Sequence, residues 1–394
     1  MTMSTLKNQF IPYGRQNISE EDIAAVVKVM QGPYLTQGPA VPDFEQAVAC
    51  EVGSRFGVAV NSATSALHVA CLSLGLGPGD YLWTSAITFV ASANCGRYCG
   101  AFVDFVDIDP ATGLISIEAL TAKLELAEVN GNLPKVLVTV HLCGTSCDMQ
   151  SIAGLAQKYG FAVVEDASHA IGGRYCGNPV GNCKYSNITV FSFHPVKIIT
   201  TGEGGLATTN NPDLERRMKE LRCHGITKNP ERFEQISPGP WSYEQQDLGF
   251  NYRMTDLQAA LGLSQLSKLD NIVSERNRQY KRYQELIDKL PVRLLDIPGN
   301  VISSVHLAVI RIVNCSSTLH RKVFEGFRSA DIGVQLHYCP VHLQPYYRKL
   351  GFCEGDLPEA ESYATSAISL PLFPGLSDFD QQRVIRTLEL LLDP

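Results

Sequence analysis

Short apolar runs alternate with longer amphipathic segments between about residues 56 and 210. Seven of these runs have the length and the apolar content of buried strands: residues 56–61, 81–88, 101–107, 135–142, 161–166, 187–193 and 205–208. Helical patterns at residues 64–74, 117–127 and 152–159 separate several of them. This alternation predicts an α/β protein with a mostly parallel, doubly wound sheet, whose ligand sites lie at the carboxyl ends of the strands.

The pattern changes after residue 255. We predict a long helix at residues 255–290 with a weak point near Asp270-Asn271, then strands at 292–295 and 307–313, a helix at 318–329 and a strand at 334–338. Two domains follow: a large one over residues 1–255, of which residues 1–40 could pack elsewhere, and a small α+β domain over residues 256–394. The segment 228–246 contains three prolines and no periodicity, so we expect a loop over a site or a partner.

Composition and charge exclude several classes of protein. The chain has 394 residues, of which 45% are hydrophobic, and a net charge of −7 without blocks of like charge. It therefore lacks the basic footprint of proteins that bind nucleic acid or anionic membranes. No run reaches the roughly 18–20 apolar residues that span a bilayer, and the first ten residues lack an apolar signal core. We expect a cytoplasmic protein with neither nucleic-acid nor membrane partners.

The twelve cysteines do not have the usual spacing of a metal site. Two pairs, Cys95/Cys99 and Cys143/Cys147, are four residues apart, and the others are scattered. Zinc sites more often use two Cys-x-x-Cys pairs or added histidines. We therefore expect reduced structural thiols and no metal.

A carboxylate and a lysine follow two of the predicted strands. Asp166 ends the strand at 161–166, and Lys197 comes after the strand at 187–193, before a glycine-rich turn at 202–205. A single lysine is usually a solvated surface charge. An aldehyde cofactor, however, needs an amine for covalent attachment, and its pyridine nitrogen needs an anion to stay protonated. The pair predicts a pyridoxal phosphate enzyme with Lys197 and Asp166 as catalytic residues.

Further residues near the same strand ends are candidate cofactor contacts, and all but Ser192 also have an ordinary structural interpretation. At Ala63 and Thr64 a strand gives way to a helix, whose N-terminus can bind a phosphate or be an ordinary cap. Phe89 could lie flat on the cofactor ring or fill the core. His169 could bond the ring hydroxyl or be an interior histidine, and Ser192 could donate to the phosphate.

Together these motifs resemble the DegT/DnrJ/EryC1/StrS family of nucleotide-sugar aminotransferases, which belongs to the fold-type I (aspartate aminotransferase-like) pyridoxal phosphate enzymes. The resemblance covers nearly the whole chain. The motifs that carry it are residues 32–39, 61–67, 165–170, 191–205, 221–225, 249–254, 337–338 and 342–346. It implies a large domain with a seven-stranded, mostly parallel sheet and a small C-terminal domain.

The resemblance also implies roles for individual residues. Lys197 corresponds to the lysine that binds the cofactor, and Asp166 to the partner of the pyridine nitrogen. The other implied cofactor contacts are Ala63, Thr64, Phe89, His169, Ser192 and Asn251. Asn251 matches an asparagine that reaches the cofactor of the neighbouring subunit, which implies a homodimer with shared active sites. The substrate contacts that we expect are Thr36, Arg253, Tyr338 and His342, although Arg253 could equally form a structural salt bridge at the dimer interface.

Residues 194–203 and 341–347 are similar to those of the pseudaminic acid pathway subgroup. After Lys197 this chain has Ile198-Ile199, whereas many relatives have Asn-Leu. This similarity implies transfer of an amino group from L-glutamate to C4 of a UDP-linked 4-keto-6-deoxy-N-acetylhexosamine. A relative acting on a dTDP-3-keto or dTDP-4-keto hexose is an open alternative. Lys197 argues against a sugar dehydratase, which has histidine at this position. An inactive sensor or scaffold is disfavoured by the intact set Lys197, Asp166, Ser192 and Asn251.

Overall fold

A computed structural model describes residues 10–393. The strands are β1 (Phe56–Val60), β2 (Tyr81–Ser85), β3 (Phe102–Val106), β4 (Val136–Val140), β5 (Ala162–Asp166), β6 (Arg174–Tyr175), β7 (Asn178–Pro179), β8 (Ile188–Ser192), β9 (Gly205–Thr209), β10 (Ile226–Thr227), β11 (Glu244–Gln245), β12 (Val292–Leu294), β13 (Val301–Ile302), β14 (Ala308–Ile312) and β15 (Ala367–Leu370).

The helices alternate with the strands in the first half of the chain and flank a second sheet in the last third. They are α1 (Glu20–Met30), α2 (Ala40–Val52), α3 (Ala63–Ser73), α4 (Ala91–Tyr98), α5 (Ile117–Asn130), α6 (Met149–Tyr159), α7 (Pro212–Leu221), α8 (Asp256–Leu266), α9 (Leu269–Ile287), α10 (Ser317–Ser329), α11 (Pro345–Arg348), α12 (Pro358–Ala364) and α13 (Asp378–Leu392). In the described part of the chain, no helix has both the length and the apolar character needed to cross a bilayer.

A seven-stranded sheet in the order β1-β9-β8-β5-β4-β2-β3 forms the centre of the molecule. Strands β3, β2, β4, β5 and β8 pair in parallel, whereas β9 is antiparallel to both of its neighbours, β8 and β1. All seven predicted strands are present within three residues at either end. The predicted mostly parallel α/β fold is confirmed. Because β1, β2, β5 and β8 run in the same direction, their carboxyl ends meet at one edge of the sheet.

The C-terminal part contains a smaller antiparallel sheet, β12-β14-β15, with a separate apolar core that includes Tyr283, Phe327 and Ile385. The predicted strand at 334–338 is wrong. Within residues 334–338 only Gln335 forms a bridge, to Ser369. The strand that pairs with β14 in this sheet is β15, which the pattern did not predict.

The predicted long helix is two helices, and the break lies at residues 267–268 rather than near 270–271. Lys268 turns to α1, where its Nζ lies 2.6 Å from Oδ1 of the buried Asp22. Helix α8 packs against α1 and α2, while Ile11 pairs with Ile332. The N-terminal segment thus contacts both parts of the chain, and the boundary at residue 255 stays a prediction.

Candidate active site

A cavity of about 750 Å³ opens at the carboxyl edge of the large sheet. It brings together most of the residues that the sequence singled out, which come from four strand ends and from the C-terminal part. The predicted site residues that line it are Ala63, Thr64, Phe89, Asp166, His169, Ser192, Lys197 and Tyr338. This volume is in the range of small-molecule sites.

Asp166 is the last residue of β5 and is almost fully buried. Its Oδ2 accepts a hydrogen bond from Ser92 Oγ at 2.6 Å, and its Oδ1 accepts one from the backbone N–H of Ser168 at 3.1 Å. Ser92 is in turn 2.7 Å from Thr88 Oγ1. Sequence reasoning missed Ser92. These donors fix the carboxylate in one orientation at the wall of the cavity.

Lys197 follows β8 in a tight turn, in which its backbone N–H donates to the carbonyl oxygen of His194 at 2.9 Å. The side chain is half-buried. Burial lowers the pKa of Lys197 to about 8, although the negative charge of Asp166 opposes this shift. A lowered pKa increases the fraction of neutral amine, which is the nucleophilic form.

Three histidines surround this lysine as neutral groups. Burial, followed by the positive charge of Lys197, lowers the pKa of His337 to about 4 and that of His169 well below its ordinary value. Burial, followed by the neighbouring His169, lowers the pKa of His306 well below its ordinary value. His306 and His337 both line the cavity. His306 was not foreseen, because no motif surrounds it.

His169 connects the cavity floor to the C-terminal part. Its Nε2 lies 3.2 Å from the hydroxyl of Tyr338, and its ring centroid is 4.5 Å from that of His306. Within the described chain, Nδ1 of His169 and Nδ1 of His306 are buried without a hydrogen-bond partner. Buried polar atoms are normally satisfied, so these two nitrogens fit a ligand with a polar edge.

The N-terminus of α3 forms a second part of the site. Ser62 caps this helix by accepting from the N–H of Ser65 at 3.1 Å. No protein partner exists among the described residues for the N–H groups of Ala63 and Thr64. A Cβ at Gly205 would lie 2.4 Å from the Ala63 nitrogen, so β9 approaches this turn closely. The turn therefore has an ordinary cap, and its N–H groups without a partner suit a phosphate, so phosphate binding stays a prediction.

Four predicted site residues do not line the cavity of this chain. Asn251 is exposed, and Thr36 lies in an exposed segment before α2. Arg253 is half-buried, with Nη1 at 3.3 Å from Cys223 Sγ. His342 is fully buried, and its Nε2 lies 3.0 Å from Glu361 Oε1. His342 is therefore not placed to contact a sugar.

Fold and site together define a pyridoxal phosphate aminotransferase of fold-type I. Residues 16–389 match the DegT/DnrJ/EryC1/StrS aminotransferase family, and the chain belongs to this family. A curated relative is the Bacillus subtilis spore coat polysaccharide biosynthesis protein SpsC, which is 37% identical over 387 residues and 97% of each protein.

Two solved structures illustrate the similarity. One is Helicobacter pylori PseC, an aminotransferase involved in the biosynthesis of pseudoaminic acid, with 29% identity, a TM-score of 0.89 and coverage of 98% of this chain and 99% of that one. The other is the PLP form of the putative sugar aminotransferase Spr1654 from Streptococcus pneumoniae, with 28% identity, a TM-score of 0.87 and coverage of 97% and 98%. This chain is thus a sugar aminotransferase.

The residues of the cavity fit pyridoxal phosphate. The free N–H groups at the start of α3 suit its phosphate, together with Ser192 at the end of β8. Lys197 supplies the amine and Asp166 the anion, and the unpartnered nitrogen of His169 suits the ring hydroxyl. Phe89 is exposed to the cavity rather than buried in the core, as expected for a residue that stacks on a ligand.

Proposed function

We propose that this enzyme transfers the amino group of L-glutamate to C4 of a UDP-linked 4-keto-6-deoxy-N-acetylhexosamine, giving UDP-4-amino-4,6-dideoxy-N-acetyl-β-L-altrosamine in pseudaminic acid biosynthesis. The observation that carries the transamination is the cavity shared by Lys197 and Asp166. The choice of sugar is supported by the similarity to PseC over nearly the full length of both chains and by the residues around Lys197.

Each cavity residue has a distinct task in this proposal. When bound, pyridoxal phosphate supplies an electron sink for the carbanion at the substrate carbon. With the cofactor bound, Lys197 would take the proton from Cα of L-glutamate as a base, hold it on Nζ and give it back as an acid. Asp166 keeps the pyridine nitrogen protonated. Burial raises the pKa of Tyr338, so its phenol stays neutral and holds His169 by a hydrogen bond.

A panel of keto-sugars tests the choice of substrate. The purified enzyme is incubated with L-glutamate and, separately, with the UDP-linked 4-keto-6-deoxy-N-acetylhexosamine, a dTDP-3-keto hexose and a dTDP-4-keto hexose. We expect 2-oxoglutarate and an aminated sugar from the UDP-linked compound, with the nitrogen at C4 by mass and NMR analysis. Amination of a dTDP-linked sugar alone would establish the alternative. The Lys197→Ala variant serves as the blank.

The lowered pKa of Lys197 predicts how cofactor binding depends on pH. Only the neutral amine attacks the aldehyde, so attachment to the cofactor-free enzyme should accelerate as pH rises, with a midpoint near 8. Stopped-flow absorbance of the lysine-bound cofactor measures this rate. A midpoint near the ordinary value of 10.5 would contradict the role of burial. The Lys197→Ala variant should lack this absorbance phase altogether.

We further propose a homodimer with shared active sites, located in the cytoplasm. Asn251 is exposed, and its side chain makes no hydrogen bond within the described residues. The loop before it exposes the apolar side chains Ile236, Trp241, Tyr243 and Leu248, and such patches favour protein interfaces. The free state of all twelve cysteines supports a reducing compartment.

Subunit complementation tests the shared site. If Asn251 serves the partner's cofactor, a heterodimer of Lys197→Ala and Asn251→Ala subunits has one intact site. After subunit exchange, the mixture should recover roughly a quarter of the wild-type activity, because half of the dimers are mixed and each has one good site. A mixture of Lys197→Ala and Asp166→Ala is the matched control and should recover nothing, since both residues belong to one subunit's cavity. The placement would be refuted if the mixture with Asn251→Ala recovered no activity after subunit exchange, or if both mixtures recovered equally.

Arg253 is proposed to bind the diphosphate of the sugar nucleotide. It lies next to Asn251, and its backbone pairs with Val60 at the end of β1. The Arg253→Ala variant should raise KM for the keto-sugar by about tenfold or more, because a charge-assisted hydrogen bond is lost. The half-reaction with L-glutamate should be nearly unchanged. Single-turnover measurements of both half-reactions decide this, and equal damage to both would indicate an interface salt bridge.

A further inference from the structure

A histidine and a glutamate are buried together beside the cavity, and the transamination chemistry uses neither of them. His141 follows β4 and has no exposed surface, whereas Glu165 precedes Asp166 in β5 and is 5% exposed. Neither residue lines the cavity. Because successive side chains of a strand point to opposite faces, Glu165 lies on the face of the sheet away from the Asp166 carboxylate.

The Glu165 carboxylate contacts three hydrogen-bonding groups. Its Oε2 lies 2.7 Å from Nε2 of His141, and its Oε1 accepts from Thr189 Oγ1 at 2.9 Å and from Ser186 Oγ. Burial favours the neutral acid, but the bonds to His141, Ser186 and Thr189 lower the pKa of Glu165 below its ordinary value. The buried carboxylate is thus fully hydrogen-bonded, as a buried charge requires.

His141 connects Glu165 to the loop at residues 142–147. The backbone N–H of Cys147 donates to Nδ1 of His141 at 3.2 Å, on the opposite side of the ring from Glu165. The backbone N–H of His141 donates to the carbonyl oxygen of Asp166 at 3.1 Å. One residue therefore contacts the loop, the buried glutamate and the backbone of the residue with the catalytic carboxylate.

This loop in turn holds the segment that contains His306. The carbonyl oxygen of Cys143 accepts from the backbone N–H of His306 at 2.8 Å. A Cβ at Gly144 would lie 2.9 Å from the carbonyl oxygen of His169, so the loop also packs closely against the cavity floor. The ring centroids of His306 and His169 are 4.5 Å apart, and the loop backbone contacts both residues.

We propose that His141 and Glu165 are positioning residues of the cofactor site. Their hydrogen bond joins the strand end that carries Asp166 to the loop that holds His306 against His169, and it keeps Asp166 and His169 in a fixed relation across the cofactor ring. This inference rests on the proposed roles of Asp166 and His169 in cofactor binding. It does not depend on which keto-sugar is the substrate.

Three substitutions separate the contacts of the pair. In Glu165→Gln one carboxylate oxygen becomes an NH₂ group, which cannot accept from Nε2 of His141 while Nδ1 accepts from Cys147. His141→Asn keeps an acceptor near the position of Nδ1 for Cys147, but it is too short to reach Glu165. His141→Gln keeps a donor near the position of Nε2, so it retains the bond to Glu165 and is the conservative variant.

Release of the cofactor from the holoenzyme tests the positioning. L-Glutamate is added so that the cofactor leaves Lys197 and only non-covalent contacts hold it, and its loss during dialysis is followed by absorbance. We expect release to be about tenfold faster or more in Glu165→Gln and His141→Asn, and close to the wild-type rate in His141→Gln. Misplacement of a catalytic group by about 1 Å can cost roughly 10²-fold in rate. Single-turnover rates of both half-reactions should therefore fall about tenfold or more, while KM for the keto-sugar stays unchanged.

The matched control is Tyr283→Phe, which removes a buried hydrogen bond to the carbonyl oxygen of Pro371 at 2.9 Å in the C-terminal core. It should lower the melting temperature and leave cofactor release unchanged. The same result in Glu165→Gln and His141→Asn would show a purely structural pair and overturn the proposal. If His141→Asn does not fold, Glu165→Gln decides the point, because it preserves the volume of the side chain. A wild-type enzyme without bound cofactor would instead refute the proposed cofactor chemistry.

Discussion

Replacing Lys197 with alanine is expected to abolish covalent cofactor binding and to lower kcat by at least about 10³-fold. Removal of a general acid–base alone commonly costs roughly 10²–10⁴-fold, and the covalent attachment of the cofactor is lost as well. The absorption band of the lysine-bound cofactor should be missing from the purified variant and should not return when pyridoxal phosphate is added.

The control for this variant is Lys184→Ala. Lys184 is exposed, and its Nζ lies over the ring of Tyr185, outside the cavity lining. This variant should keep the absorption band and wild-type turnover. Both variants should unfold near the wild-type temperature when freed of cofactor, because neither side chain fills the core. Steady-state transamination by Lys197→Ala would rule out its catalytic role.

The large sheet could be predicted because its strands are buried on both faces. The strand at 136–140, for example, is buried at every position, so it reads as an uninterrupted apolar run. Asp166 and Lys197 were found for a related reason: each interrupts or follows such a run at a strand end, where the fold places ligands. An amine and a carboxylate at neighbouring strand ends are enough to suggest pyridoxal phosphate chemistry.

Other parts of the site depend on contacts between distant segments, which no local pattern records. His306, from the C-terminal part, lies with its ring tilted against that of His169, and Ser92 of α4 donates a hydrogen bond to Asp166. The strand predicted at 334–338 fails for the same reason. There, His337 Nδ1 lies 2.8 Å from Ser369 Oγ, and His337 and Tyr338 line the cavity instead of extending the sheet.

Asp166 is the buried carboxylate of the cavity lining, whereas Glu203 at the same cavity is exposed. The three histidines are neutral there, because burial disfavours their charged forms. They can donate or accept protons in hydrogen bonds without adding a positive charge that would compete for Asp166. The hydrogen-bond donors to Asp166 are the neutral groups Ser92 Oγ and Ser168 N–H. In the proposed function its negative charge is therefore left for the pyridine nitrogen.

Replacing Asp166 with alanine is therefore expected to cost about 3–4 kcal/mol of transition-state stabilisation, or roughly 10²–10³-fold in kcat, as for other losses of a group aimed at developing charge. Asp166→Asn is the sharper variant, because it keeps the shape of the side chain and still accepts from Ser92, yet it cannot hold the pyridine nitrogen protonated. It should lose nearly as much activity as the alanine variant. Ser92→Ala, which removes one neutral donor, should lose much less.

Both half-reactions should be affected alike in single-turnover measurements, since both need the protonated ring. If Asp166→Asn kept near-wild-type turnover, the carboxylate would be orienting the ring rather than supplying charge.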